Sequence, residues 1–158
     1  MLQRKILVIE DSKEIIAFCK MILSENYSVI SAENVKDGIE AAERESPDLI
    51  LLDLSEEFEK GCGICKKLTQ GEATRNIPVM ILYLSGDEEI VRLANSLGVV
   101  DYIPKPIIPT LLLKRVQTVI ERYSGRINRC GKCFKPMQVD WSFCPYDGTR
   151  LPPLDSRQ

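Results

Sequence analysis

The 158-residue chain predicts an α/β fold, an open parallel sheet with helices on both faces, and three observations point to it. Five short apolar runs, rich in branched residues, alternate with segments whose apolar residues recur at helical spacing. The runs carry little polar alternation, as strands buried on both faces do. A hydrophobic share of 44% with 28% charged residues is ordinary for a folded domain and unlike a disordered chain.

Residues 4–9 form the first run and end on Glu10 and Asp11. Ser12 can cap a helix with Ile15, Ile16, Cys19, Ile22 and Leu23 on one face. Residues 27–32 read as the second strand. An amphipathic helix through Val35, Ile39 and Ala42 follows and ends before Pro47. Residues 49–52 make the third strand, which stops at Asp53. A loop then leads to Gly61 and a helix over Ile64, Cys65 and Leu68. Residues 78–83 are the fourth strand. Gly86 or Asp87 opens the next helix, which carries Ile90, Leu93, Ala94 and Leu97 and is closed by Gly98. Residues 99–103 give a brief fifth strand. Pro109 opens the last helix, with Leu112, Val116, Val119 and Ile120 on one face. Periodicity ends there, which divides the chain into a domain of residues 1–123, a linker of 124–129 and a small module of 130–158. The module has too few apolar residues to build a core of its own.

Charge and composition exclude several function classes. No apolar stretch approaches the ~20 residues of a membrane helix. The run before Glu10 is too short for a signal-peptide core, so a cytoplasmic location is expected. Residues 1–123 carry 15 Lys+Arg against 20 Asp+Glu, a balance of −5, and residues 124–158 carry 6 against 3, or +3. An acidic body with a weakly basic tail has no electrostatic footprint for nucleic acid. The chain has no histidine, which removes His-based catalysis and His-containing metal sites. Of its six cysteines, Cys130, Cys133 and Cys144 fall in one short segment, which in a cytosolic protein suggests metal before disulfides.

In an open parallel sheet the ligand site lies beyond the carboxyl ends of the strands. Glu10 and Asp11 end the first strand, Asp53 ends the third and Lys105 follows the fifth. Crowded carboxylates raise one another's pKa unless a cation joins them, and a hard ion such as Mg²⁺ suits such a set. Spacing alone does not separate this from ordinary solvated loop charges. The acidic pair, "LLDL" around Asp53, "GCGICKKL" from Gly61, "IPVMIL" in the fourth strand and "DYIPKP" over 101–106 act in combination. On these, residues 3–123 resemble the receiver domain of two-component response regulators.

The resemblance implies a flavodoxin-like (βα)5 sheet with strand order 2-1-3-4-5. It implies that Asp53 accepts a phosphoryl group from a sensor histidine kinase or phosphotransfer protein. Glu10, Asp11, Asp53 and the backbone carbonyl of Ser55 would hold Mg²⁺, and Lys105 would pair with the phosphoryl oxygens across a cis bond to Pro106. Such a protein is a signalling phosphoacceptor, not an enzyme in the usual sense. It works through contacts with a downstream protein, or with a second copy as a homodimer. The chemistry is coherent: a carboxylate is a competent nucleophile, and two cationic groups offset the charge on the transferred group. Haloacid-dehalogenase-like phosphatases need a second Asp two residues after the nucleophile, where this chain has Ser55.

Two stretches depart from the family. Tyr83 stands at the switch position, where Thr or Ser is usual, and Leu84 follows where a small residue is usual. Glu57 and the Lys60, Gly61 pair replace a Pro and an Asp-Gly pair after the acceptor. The outcome is either an altered switch, with Ser85 or Ser55 supplying the hydroxyl, or a Tyr83 that simply packs outward. Tyr102 matches the family's mobile aromatic, as a core tyrosine also would. The rival reading is a pseudo-receiver scaffold without productive phosphorylation. Tyr83 favours it and the retained acidic set disfavours it.

Cys130 and Cys133 form a CxxC knuckle, and Cys144 opens a second short knuckle ten residues on. Two such knuckles supply a ligand pair each to one tetrahedral ion. "FCPYDGTRL" resembles bacterial zinc ribbons, with Asp147 where Cys is usual. A carboxylate is an acceptable ligand, so Cys130, Cys133, Cys144 and Asp147 are the expected Zn²⁺ set, and a metal-free knuckle docked on the receiver is the alternative. Cys62 and Cys65 share the spacing but open a helix without a second knuckle, so they read as core, as does Cys19. A transcription factor touching DNA through the ribbon is a further rival, weakened by the absence of a basic recognition helix.

Overall fold

Each apolar run becomes a strand because flanking helices cover both of its faces. The computed structural model describes residues 3–54, 58–123, 127–138 and 141–152. Strands β1 (Lys5–Ile9), β2 (Ser28–Ala32), β3 (Leu49–Asp53), β4 (Val79–Leu84) and β5 (Asp101–Lys105) form one parallel sheet in the order β2-β1-β3-β4-β5. Helices α1 (Lys13–Leu23) and α5 (Pro109–Tyr123) pack Cys19, Leu23 and Val116 against Ile6, Val8 and Leu51. On the other face, α2 (Val35–Glu45), α3 (Phe58–Gln70) and α4 (Glu88–Ser96) pack Ala42, Leu68 and Ala94 against Leu7, Ile50 and Ile81. Successive strand residues therefore feed two separate cores, as the period of two requires. Among the described residues no helix is long and apolar enough to cross a membrane.

Local signals set most helix starts. Ser12 Oγ accepts from the Ile15 N–H at 3.3 Å, and Asn34 Oδ1 accepts from the Asp37 N–H at 2.9 Å. Asp87, rather than Gly86, is the N-cap of α4. Gly98 follows that helix at φ +80°, the left-handed turn that favours glycine.

Two elements differ from the sequence expectation. β5 begins at Asp101, not at residue 99: the Val99 N–H is taken by the turn, donating to the Ala94 carbonyl, and Val100 makes a first bond to β4, its N–H donating to the Val79 carbonyl. The strand then continues through Pro104 to Lys105, which an edge strand tolerates because one side of its backbone needs no donor. Helix α3 begins at Phe58, ahead of the expected start after Gly61. Gly61 lies inside the helix, where a Cβ would come within 2.6 Å of Leu54 Cδ2.

After α5 the chain forms a small ribbon. β6 (Asn128–Arg129) and β7 (Pro136–Met137) pair antiparallel, and Phe143 bridges Arg150. Of the expected linker 124–129, residues 127–129 are not a loose spacer. Ile127 is buried and its N–H donates to the Asn76 carbonyl at 2.9 Å, and the next two residues are β6. An apolar side chain that finds a surface of the α/β domain does not stay in a solvated linker. Residues 124–126 lie outside the described residues.

Candidate functional site

The parallel register brings Glu10, Asp53 and Lys105 to the carboxyl end of the sheet. Lys105 leaves edge strand β5 and reaches past the end of β4. Its Nζ donates to Asp53 Oδ1 at 2.8 Å and to Glu10 Oε2 at 2.9 Å. Glu10 is 2% exposed, and its Oε1 accepts from the Ser12 N–H at 3.2 Å, so the residue that caps α1 also helps orient the site. Asp11 is exposed beside them, and donor oxygens of Glu10, Asp11 and Asp53 all lie within 4.8 Å of one another. A cleft of about 180 Å³ opens there toward Asn34, Gly61 and Ile64.

Burial pushes the Glu10 carboxyl up to about 7, against hydrogen bonds from Lys105 and Ser12, with Asp53 and Asp11 adding to the rise. Burial alone would lower the Lys105 ammonium. Its hydrogen bonds to Asp53 and Glu10 outweigh that and hold it above the usual lysine range. One lysine among three carboxylates leaves surplus negative charge. That donor set, oxygen-only and partly open, fits a hard divalent cation. Ser55, the fourth expected Mg²⁺ ligand, lies outside the described residues, as does Glu57.

Tyr83 does not pack outward. It is half-buried against the α2–α4 core, with its ring edge-on to Tyr102 at 6.0 Å between centroids and 74° between planes. Arg115 lies 5.9 Å from the Tyr102 ring, donates to the Tyr102 carbonyl at 3.0 Å and pairs with Asp101 at 2.7 Å. Sequence reasoning missed Arg115 and Asp101, since their pairing spans a turn of unknown shape. Ser85 is exposed in the turn after β4, and its N–H donates to the Lys105 carbonyl at 3.3 Å. Leu84 is 52% exposed at the same rim.

The ribbon gathers the second predicted set. Donor atoms of Cys130, Cys133, Cys144 and Asp147 all lie within 4.8 Å of one another. Cys133 Sγ is 3.6 Å from Cys144 Sγ, and Cys130 Sγ is 3.4 Å from Asp147 Oδ2. A tetrahedral zinc with bonds of about 2.3 Å to sulfur and 2.0–2.2 Å to oxygen has edges of roughly 3.6–3.8 Å. Burial pushes the Cys133 thiol up to about 12. Cys130 is drawn below the usual thiol range in spite of burial, by hydrogen bonds that include the Lys132 N–H. The Thr149 N–H, 2.8 Å from Asp147 Oδ1, holds that carboxyl well below the ordinary range. Cys19 and Cys65 are buried in the two cores, and burial pushes them up to about 11 and about 12; Cys62 is half-buried on α3. None of the three joins the ribbon cluster.

Arg129 lies in the expected linker, where a lone arginine carries no signal of a buried role. Its Nε donates to the Arg75 carbonyl at 2.5 Å, and its Nη1 to the carbonyls of Gly98 at 2.6 Å and Phe134 at 2.9 Å. Burial lowers the guanidinium to about 10, which leaves it cationic at neutral pH. These contacts lie at the starts of β4 and β5, so the ribbon sits at the opposite end of the sheet from Asp53.

Residues 6–117 match the family described as response regulator receiver domain. The chain is 34% identical over 122 residues to the phosphate regulon transcriptional regulatory protein PhoB of Escherichia coli strain K12, covering 77% of this chain and 53% of PhoB. It is 31% identical over 117 residues to Protein PilH of Pseudomonas aeruginosa, covering 73% and 97%. In structure it is similar to a response regulator from Thermotoga maritima, with TM-score 0.70, 26% identity and coverage of 76% and 99%. It shares the fold of the chemotaxis protein CheY4 of Vibrio cholerae, with TM-score 0.68, 23% identity and coverage of 75% and 99%. The chain spans about half the length of PhoB and the regulators like it.

Proposed function

The chain belongs to the response regulator receiver family of two-component signalling, and from that premise we propose that it accepts a phosphoryl group on Asp53 and signals through protein contacts. The observation that carries this is the Lys105 ammonium bridging Asp53 and Glu10 at 2.8 and 2.9 Å. A cation already seated on the acceptor is positioned to move onto phosphoryl oxygens as they arrive. An Asp53 oxygen attacks phosphorus, the donor's bond to phosphorus breaks, and an acyl phosphate results. Glu10, Asp11 and Asp53 are the described residues that would hold Mg²⁺, which when bound supplies further charge neutralisation. The donor is a sensor histidine kinase or phosphotransfer protein in the cytoplasm. The receiver surface, the ribbon or a second copy is the partner-facing element.

Incubation with acetyl phosphate and Mg²⁺, read by intact-protein mass spectrometry, tests this. Wild type should gain one phosphoryl group only with Mg²⁺ present, and Asp53→Asn should gain none. A wild type left unmodified while a control receiver is labelled in the same tube would favour the scaffold reading. That second reading draws its support from Tyr83, whose phenol cannot make the short contact of a threonine hydroxyl.

We read Cys130, Cys133, Cys144 and Asp147 as a zinc site because their separations approach tetrahedral edges. The ribbon's own buried cluster is Cys130, Met137, Cys144 and Leu151, with Trp141 packed beside it. So little apolar surface does not offset chain entropy, and a metal worth on the order of 10 kcal/mol in zinc-finger peptides does. Elemental analysis should return about one zinc per chain; less than about 0.1, with the tail still protease-resistant, overturns the assignment.

A further inference from the structure

The Arg129 guanidinium joins three separate backbone segments. The Arg75 carbonyl lies in the turn before β4, the Gly98 carbonyl in the turn between α4 and β5, and the Phe134 carbonyl directly after Cys133. Gly98 is shaped for this contact: a Cβ there would lie 2.7 Å from Arg129 Nη1 and 2.9 Å from the Phe134 oxygen, and its φ of +80° already disfavours other residues. The Ile127 N–H adds a bond to the Asn76 carbonyl, with its side chain 2% exposed. The ribbon thus meets the receiver through carbonyls of two turns. The strands those turns begin, β4 and β5, end at Tyr83, Leu84 and Lys105, about 20 Å away at ~3.3 Å per residue.

The contact depends on the ribbon keeping its shape. Arg129 Nη2 is sealed from solvent with no partner among the described residues. Holding a guanidinium there has a desolvation penalty, offset only while the carbonyls stay in place around it. One of those three carbonyls belongs to Phe134, next to a proposed metal ligand, in a backbone turned to φ +59°.

We propose that the ribbon is a metal-gated brace, in which Arg129 pins the turns before β4 and β5 to the Cys130, Cys133 knuckle for as long as the metal holds that knuckle folded. This rests on the zinc reading above. It gives the ribbon a task within its own chain, as a second input on the half of the receiver that carries Tyr83, Tyr102 and Lys105.

Amide hydrogen exchange on the full chain, before and after chelation and with metal content measured in the same samples, tests the brace. Removal of zinc should speed exchange about tenfold or more in residues 74–79 and 97–100, while β1 and β3 hold their protection. Arg129→Ala should expose the same two stretches with zinc still bound. A chain that loses its zinc yet keeps both turns protected overturns the brace, and so does an Arg129→Ala protein with unchanged exchange. A chain purified without metal, its turns protected, overturns the zinc reading and the gate together. The chelation arm decides the matter whatever the fold of the variant.

Discussion

Lys105 holds two carboxylates at once, and the more deeply buried of them, Glu10, makes the fold sensitive to pH. In the folded metal-free protein its carboxyl sits at about 7, raised from 4.5 by burial. A group raised on folding contributes stability that is full below its unfolded pKa and is lost as pH rises through its folded value. Chelated protein should therefore lose thermal stability between about pH 5 and about pH 8, and Glu10→Gln should flatten that slope. A slope identical in the variant would assign the effect to other groups. Tyr83 poses a different question. Its ring is wedged edge-on against Tyr102, so Tyr83→Thr removes an aromatic contact worth ~0.5–1.5 kcal/mol. The new hydroxyl, close to the backbone, gains a charge-assisted bond to a phosphoryl oxygen worth ~1.5–3 kcal/mol. The variant should melt lower than wild type, yet respond roughly tenfold more strongly to beryllofluoride in amide exchange after β4. Equal responses would show that the residue does not limit switching.

At the scale of elements, close approach is what periodicity conceals. Gly38 sits on the buried face of α2, where a Cβ would lie 2.7 to 2.9 Å from three atoms of Ile9. Alanine normally strengthens a helix by ~1 kcal/mol over glycine, but overpacking a core costs about 1–3 kcal/mol. Gly38→Ala should be net destabilising in urea unfolding, by about 1 kcal/mol, and a midpoint raised above wild type would show that Ile9 yields freely. The same concealment explains the two misplaced boundaries. Val99 and Val100 read as strand because they are branched and apolar, yet the turn from α4 takes the Val99 N–H and the strand begins only after Val100. The start of α3 lay ahead of Gly61 because that glycine admits Leu54 rather than opening the helix.

At the scale of the whole molecule, Asp53 and the ribbon lie at opposite ends of the parallel sheet. Cys144→Ser should release zinc and leave the ribbon open to protease while residues 1–123 stay folded. Asp147→Ala should weaken zinc less, since water can fill one corner of a tetrahedron, and Asp147→Cys should tighten it because thiolate is the softer ligand. Competition against a chelating dye ranks the four proteins. An Asp147→Ala protein indistinguishable from wild type would remove Asp147 from the ligand set.

What the sequence by itself determined was the alternation of elements, the strand-end placement of Glu10, Asp53 and Lys105, and the spacing of the ribbon cysteines. Those are properties of neighbours along the chain: apolar period, capping residues and ligands a few positions apart. Only the tertiary structure decided that Lys105 spans β4 to hold both Glu10 and Asp53, that Arg115 flanks Tyr102, and that Tyr83 turns inward. Only it turned residues 127–129 from linker into a docked segment and set Nε and Nη1 of Arg129 against backbone carbonyls. Such contacts join segments tens of residues apart, and a carbonyl is present at every position. The residue that accepts an arginine through its backbone therefore leaves no mark in the sequence, save where, as at Gly98, the approach is too close for any side chain.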